Sequence, residues 1–311
     1  MGNRRFYPMD GGGVEILMKL MSWTLNAPSS AQFNQYMQKI NGQWTVINES
    51  APFQWDDNQN TFIFMFQKYH KKIKSLGLHE FGVWIDGSIY NFRLPNYDNE
   101  REWENGSPVL NADETAIQNW CPTSIQYLME TFPEVEYALQ FICFGQKVDR
   151  ILHLNRESAQ NTFIRQAKKI AELYRERFPS IVTIELDFEK TYTLKDGDPI
   201  YYDREQQNSP IEGYADGNDW EVYRDFIIRV KNEICLPLGM KLRVNMYAMT
   251  GDFTPSYYGW HDYKTLAAGK DRNGNQAIDE FQLMTYDFSY AYSAPGPSTP
   301  IWWLKEVLDH A

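Results

Sequence analysis

Cysteine is scarce, with three in 311 residues, at positions 121, 143 and 235. An odd number at such wide spacing supports neither a disulfide framework nor a CxxC metal site, and free thiols of this kind are ordinarily buried. Long apolar runs are lacking too. None reaches the ~20 residues that a membrane-spanning helix needs, so membrane insertion is not expected. The N-terminal MGNRRFYPMDGGG has two arginines but no apolar core behind them, which does not read as a secretory signal. Phe6 stands where a myristoylation start wants Ser or Thr. Positive charge is thin: the net charge is −11, and Lys and Arg are scattered without a basic run interleaved with aromatics. Nucleic acid is therefore a poor partner. The five histidines form no H-x-x-x-H pair, and no motif calls for a metal or another cofactor. Asp271, Asn273 and Asn275 take the first, third and fifth places of a calcium loop, but Gln276 and Gln282 replace its Gly and its bidentate Glu. A polar turn is the expected structure there.

Aromatic residues are plentiful, with 10 Trp, 20 Tyr and 18 Phe. They suit a large core, and they also suit flat platforms for sugars. Apolar, strand-forming runs cover 14–23 (whose Leu and Met content also suits a helix), 79–87, 136–145, 181–189, 241–249 and 280–288, and helical patterns cover 60–76, 113–132 and 158–178. In the last of these, Phe163, Ala167, Ile170, Tyr174 and Phe178 draw one apolar stripe, which Pro179 ends. Alternation of strands and helices predicts α/β with a parallel sheet, and six strands in this length favour a (β/α)8-type TIM barrel. No repeat or linker divides the chain. Residues 1–311 read as a single domain with polar insertions near 25–57 and 191–220.

The run IVTIELDFEK places Glu185, Asp187 and Glu189 at alternate positions, with Ile184, Leu186 and Phe188 between them. On a strand the carboxylates share one face and the apolar residues the other. Next neighbours on that face lie about 7 Å apart, so the charges repel, and one carboxyl is expected to hold its proton near neutral pH. A protonated carboxyl beside an ionised one can act as a general acid. In a barrel the trio faces inward and Glu189 lies at the C-terminal mouth, where such enzymes react. The same alternation also fits a solvated strand of an antiparallel sheet.

A second stretch, LMTYDFSYAYSAPGPSTPIWWLKEVL (283–308), taken with IELDFE, resembles glycoside hydrolase family 18, the chitinases and endo-β-N-acetylglucosaminidases. The family's D-G-x-D-x-D-x-E aligns with residues 182–189, and its M-x-Y-D with Met284, Thr285, Tyr286 and Asp287. Phe188 before the Glu, and Ser293-Ala294-Pro295-Gly296-Pro297 followed by Trp302, look most like the branch that attacks peptidoglycan and spore cortex. NRESAQNTFIRQAKKIAELY is similar to the helix before the family's acidic strand. The likeness runs from about residue 136 to 308.

The resemblance implies a substrate-assisted retaining glycosidase acting on peptidoglycan or a chitin-like polysaccharide. Glu189 is then the acid, Asp187 polarises the substrate's acetamido group, and Tyr286 hydrogen-bonds that group. Asp287, Met284 and the deeper Glu185 line the sugar site. Val182-Thr183 replaces the family's D-G, and Glu185 its inner Asp. The chain ends at Ala311, so the family's strands seven and eight are expected to be missing. Outside the motifs, Tyr247 is a lumen candidate and Trp260, with Tyr257 and Tyr258, a candidate sugar platform, the alternative being that these rings pack their long loop onto the barrel. Trp302 and Trp303 are expected in the core. A virion, such as a phage tail, or release by lysis would bring the protein to a cell wall without a signal peptide. The alternative is an inert glycan-binding or structural barrel among the subunits of a phage particle or other assembly.

Overall fold

The computed structural model describes residues 30–55, 57–84, 86–91, 107–110, 113–114, 123–144, 156–189, 219–251, 260–285, 288–289 and 296–311. In chain order the elements are α1 (Ser30–Tyr36), β1 (Met37–Ile40), β2 (Gln43–Val46), α2 (Asp57–Tyr69), β3 (Ser75–Val83), β4 (Ile89–Asn91), β5 (Ser107–Pro108), α3 (Thr123–Thr131), β6 (Glu136–Phe144), α4 (Arg156–Arg177), β7 (Ile181–Glu189), α5 (Asp219–Val230), β8 (Lys241–Tyr247), α6 (Tyr263–Ala267), β9 (Glu280–Met284) and α7 (Ile301–His310). The expected strand over 14–23 and the insertion at 191–220 fall outside the described residues, except for Asp219 and Trp220.

Two compact units make up the chain. The first comprises Met1–His79, Cys121–Ala138 and Phe178–Ile181. Part of the polar 25–57 segment is ordered there as α1 and the β1–β2 hairpin. Its turn is Asn41-Gly42, both with positive φ (52° and 82°), the pairing a two-residue type I′ turn requires. Aromatic rings build this unit's core. Phe33 packs within 5.5–6.1 Å of Tyr36, Trp44 and Tyr127. Trp44 Nε1 donates to Glu130 at 2.9 Å, and Lys39 pairs with the same carboxylate at 2.7 Å.

The second unit comprises Glu80–Trp120, Leu139–Arg177 and Val182–Ala311. Its sheet has the order β5-β4-β3-β6-β7-β8-β9. The sheet is mixed: β3–β4 and β4–β5 are antiparallel, whereas β7–β8 and β8–β9 are parallel. Among the described residues the sheet does not close into a barrel. β3 stops at Val83, short of the expected 87, because a turn at Asp86-Gly87 sends the chain back as β4. Gly87 has φ 81°, and a Cβ there would meet the Ala159 carbonyl oxygen at 1.8 Å.

The apolar face of β7 meets helices, as its alternation requires. Phe188 lies 5.7 Å from Phe163 of α4 and 5.5 Å from Phe226 of α5. Phe163 also reaches Phe141 of β6 at 5.4 Å, and Tyr174 meets Phe81 of β3 at 5.9 Å. The whole predicted stripe of α4 is buried, and each such ring contributes roughly 1.5–3 kcal/mol by leaving water. Helix α4 ends at Arg177, two residues before Pro179. Trp302, in contrast, is 55% exposed on α7 with its edge against Phe288, so its placement in the core is corrected. Helix α7 buries Val307, and Ile301 and Leu308 are exposed with Trp302.

Candidate functional site

With the apolar side of β7 turned to α4 and α5, Thr183, Glu185, Asp187 and Glu189 occupy the other face. The registers align Glu185 with Arg243 and Arg243 with Glu280. Further up, Asn245 pairs with Gln282 and Tyr247 with Met284, and the β7–β8 register, carried past its last pair at Leu186 and Val244, would set Asp187 level with Asn245 and Glu189 level with Tyr247. Three tiers result, climbing toward the C-terminal ends of parallel strands.

The lowest tier is ionic. Arg243 Nη1 donates to Glu185 at 3.2 Å, and its Nε and Nη2 donate to Glu280 at 2.9 and 2.7 Å. Glu185 is 0% and Arg243 3% exposed. Burial pushes the Glu280 carboxyl up, but the hydrogen bonds and charge of Arg243, with Lys241 at 3.4 Å, outweigh it and hold the group below its usual range. Glu185 therefore faces more than the repulsion of its fellow carboxylates on β7. A cation from the neighbouring strand faces it.

The middle tier is polar. Gln140 of β6 donates to Asp187 Oδ2 at 3.0 Å, which fixes the rotation of that carboxylate. Asn245 is wholly buried, and neither its amide oxygen nor its nitrogen has a hydrogen-bond partner among the described residues. A buried amide without partners costs several kcal/mol, of order 2–7. A polar atom of a water or ligand at this tier would remove that cost.

The rim tier holds Glu189 and Tyr247, both half-buried, and the buried Met284. The segment after β8 braces this rim. His261 Nδ1 accepts from the Tyr247 N–H at 2.9 Å, and His261 Nε2 lies 3.1 Å from the Phe188 carbonyl. Tyr263 donates its hydroxyl to the Tyr247 carbonyl and accepts from the Met249 N–H. Asp262 caps α6 by accepting from the Thr265 N–H. Burial brings the His261 imidazole down to about 4, only partly offset by its bond to Phe188 and the charge of Asp187. Tyr223 of α5, buried behind β7, has its hydroxyl pushed well above its usual value by burial and then by the charges of Asp187, Cys143 and Glu189.

The sequence-predicted residues thus divide. Glu185, Asp187, Glu189, Tyr247 and Met284 come together on one face. Tyr286 and Asp287 lie outside the described residues, as do Tyr257 and Tyr258. Trp260 is 1% exposed, with its ring 6.2 Å from Tyr223, and no open face remains for a sugar. It is a core residue, a correction to its expected role. Asp271 serves the turn foreseen for it, accepting from the Asn273 and Asn275 N–H groups at 2.8 and 2.9 Å. Gln140, Arg243, Asn245, His261 and Glu280 were missed. Arg243 and Asn245 carried a signal: they alternate with Leu242, Val244 and Met246, as the carboxylates of β7 do with their apolar neighbours. A cavity of about 510 Å³ lies away from the carboxylates, on the outer side of β9, among Met249, Tyr263, Phe281, Leu283 and His310.

No protein-family model matches the sequence, and no curated protein matches it. Solved structures do match. The spore cortex-lytic enzyme SleL of Bacillus cereus superposes with a TM-score of 0.51 at 19% identity, over 80% of this chain and 43% of that one. SleL of Bacillus megaterium gives 0.50 at 18% identity, over 79% and 42%. A chitinase of Chromobacterium violaceum gives 0.50 at 15% identity, over 81% and 60%. The chain thus spans less than two thirds of each of these proteins. At such identities the likeness is one of fold, and it is to the group that the sequence motifs resemble, the chitinases and spore cortex-lytic enzymes.

Proposed function

We propose, from a fold shared with chitinases and spore cortex-lytic enzymes, that this chain is a glycoside hydrolase of the family 18 type. Its substrate would be a β-1,4-linked glycan containing N-acetylglucosamine, such as peptidoglycan or chitin. The observation that carries the reading is the tiered face of β7: Glu185 answered by Arg243, Asp187 held by Gln140, and Glu189 half-buried at the strand's end. The sheet would be the wall of a TIM barrel, with this face inward.

In this reading Glu189 gives its proton to the glycosidic oxygen as the bond to the anomeric carbon breaks. The carbonyl oxygen of the substrate's own acetamido group attacks that carbon from the opposite face, forming a cyclic oxazolinium ion, while Asp187 stabilises the acetamido N–H. Water then opens the ring at the anomeric carbon and returns its proton to Glu189, so the β configuration is retained. Tyr286 and Asp287 take part by the motif resemblance. We propose the cell wall as the place of action. A phage tail, or release by lysis, as its setting rests on the sequence reading alone.

Digestion of purified wall by wild type and by Glu189→Gln tests the reading. Wild type should release reducing ends carrying N-acetylglucosamine, and Glu189→Gln should lose about 10²–10⁴-fold in rate while still binding the wall. Equal release by both overturns the assignment. Retention on the wall without release by either supports the inert, glycan-binding alternative.

A further inference from the structure

The β7–β8 ladder ends at the Leu186–Val244 pair, although β7 continues to Glu189 and β8 to Tyr247. Carrying the register on would pair Phe188 with Met246. In a parallel ladder the next bond then runs from the Tyr247 N–H to the Phe188 carbonyl. Those two groups are the ones His261 holds, Tyr247 N–H at 2.9 Å through Nδ1 and Phe188 C=O at 3.1 Å through Nε2. The imidazole stands where a direct strand-to-strand bond is expected. It is 1% exposed, tilted against the Tyr247 ring with centroids 4.5 Å apart, and stacked on Tyr223 at 6.0 Å.

We infer that His261 is a positioning residue for the two carboxylates: its imidazole, wedged between the ends of β7 and β8, sets where Asp187 and Glu189 stand. The inference rests on the proposed roles of those two residues. Phe188 lies between them in sequence, so the bond to its carbonyl, in the peptide that leads into Glu189, holds the residue that both carboxylates flank.

Chemistry selects one form of the ring. The Tyr247 N–H can only donate, so Nδ1 must be a bare acceptor. The Phe188 carbonyl can only accept, so Nε2 must carry the hydrogen. Protonation would place an N–H against the Tyr247 N–H and break the bridge. The titratable and charged groups around the ring are Tyr223 of α5, Tyr247 of β8, Asp187 and Glu189 of β7, and Asp262 and Tyr263 beside it in sequence. Burial keeps the imidazole neutral well below its usual range, down to about 4. The bridge therefore stays intact at neutral and mildly acid pH.

Three measurements test this. In wild type at pH 7, nitrogen NMR should show His261 neutral with the hydrogen on Nε2; a hydrogen on Nδ1, or a charged ring, overturns the bridge without any variant. Amide exchange at Tyr247 should be slow in wild type and in His261→Gln, whose carboxamide keeps one acceptor and one donor at the same spacing. It should be at least about tenfold faster in His261→Phe, which keeps a ring and loses both bonds. Unchanged exchange in His261→Phe overturns the bridge. Both readouts stand whether or not the chain is a glycosidase. On wall glycan, His261→Phe should lose about 100-fold in kcat with KM within threefold, as expected of an ångström-scale misplacement. His261→Gln should recover most of that rate. A kcat for His261→Phe within twofold of wild type overturns the positioning role, whereas silence from wild type itself refutes the glycosidase reading and leaves the bridge standing.

Discussion

Replacing Arg243 by methionine removes the cation of the lowest tier while keeping most of its volume. Three hydrogen bonds disappear, one to Glu185 and two to Glu280. Glu280 has Lys241 at 3.4 Å and is part-exposed, so it is partly compensated. Glu185 is wholly buried and loses the guanidinium that faces it. Breaking a buried pair by taking one partner costs about 3–5 kcal/mol, most of it the penalty of the stranded charge. The double variant Arg243→Met with Glu185→Met should then be less damaged than the single one, because nothing charged is left stranded. We expect the single variant to lose about 3–5 kcal/mol and the double variant to recover at least 2 of these, a coupling that contacting charges commonly show. Urea unfolding followed by tryptophan fluorescence reads both values. A cost below about 1 kcal/mol for Arg243→Met, or simple additivity in the double variant, refutes the buried ion pair as a stabilising element.

Asn245→Leu should leave stability unchanged or raise it by about 1–2 kcal/mol, because a buried amide without partners is exchanged for an apolar group of similar size. It should lower glycan cleavage, since the amide faces the tier of Asp187; a large loss of stability would show that Asn245 is satisfied in the native state. His261 makes stability depend on pH with a definite sign. Its folded value, about 4, lies below the unfolded value of 6.5, so its contribution is complete above pH 6.5. It shrinks as pH falls from 6.5 toward 4 while the unfolded chain takes up the proton, and it is gone below that window. The loss is up to about 3 kcal/mol, from about 2.5 pH units at 1.36 kcal/mol each. Urea midpoints for wild type and His261→Gln should diverge across this range, and parallel profiles would refute the assignment. Glycan chemically stripped of its acetyl groups should be cleaved at least about 10³-fold more slowly than the acetylated form, since the attacking group is gone. Equal rates would rule out substrate assistance.

Much of the second unit was legible because its pattern is local. The alternation of Glu185, Asp187 and Glu189 with Ile184, Leu186 and Phe188 told which face each residue takes, and the strand spans 181–189 as read. The stripe of α4 needed only helical spacing. What was hidden depends on register between distant segments. Arg243 meets Glu185 across 58 positions and Glu280 across 37, and no local pattern pairs them. Gln140 reaches Asp187 across 47 positions in the same way. Trp260 was misread because an aromatic-rich loop after a strand looks open, whereas its ring is folded in against Tyr223. His261, its neighbour, shows why: the segment turns inward to bond the backbone of β7 and β8. The hairpin of the first unit had a readable sign in Asn41-Gly42, but the polar residues around it do not alternate clearly enough to mark two strands.

In the proposed reaction Glu189 hands a proton to the glycosidic oxygen while the substrate's acetamide closes on the anomeric carbon. Proton NMR of the first product formed from a short N-acetylglucosamine oligomer tests it in one spectrum. The β anomer should appear at early times, mutarotating later to the mixture. An initial α anomer, or no product at all from the wild-type protein, contradicts it.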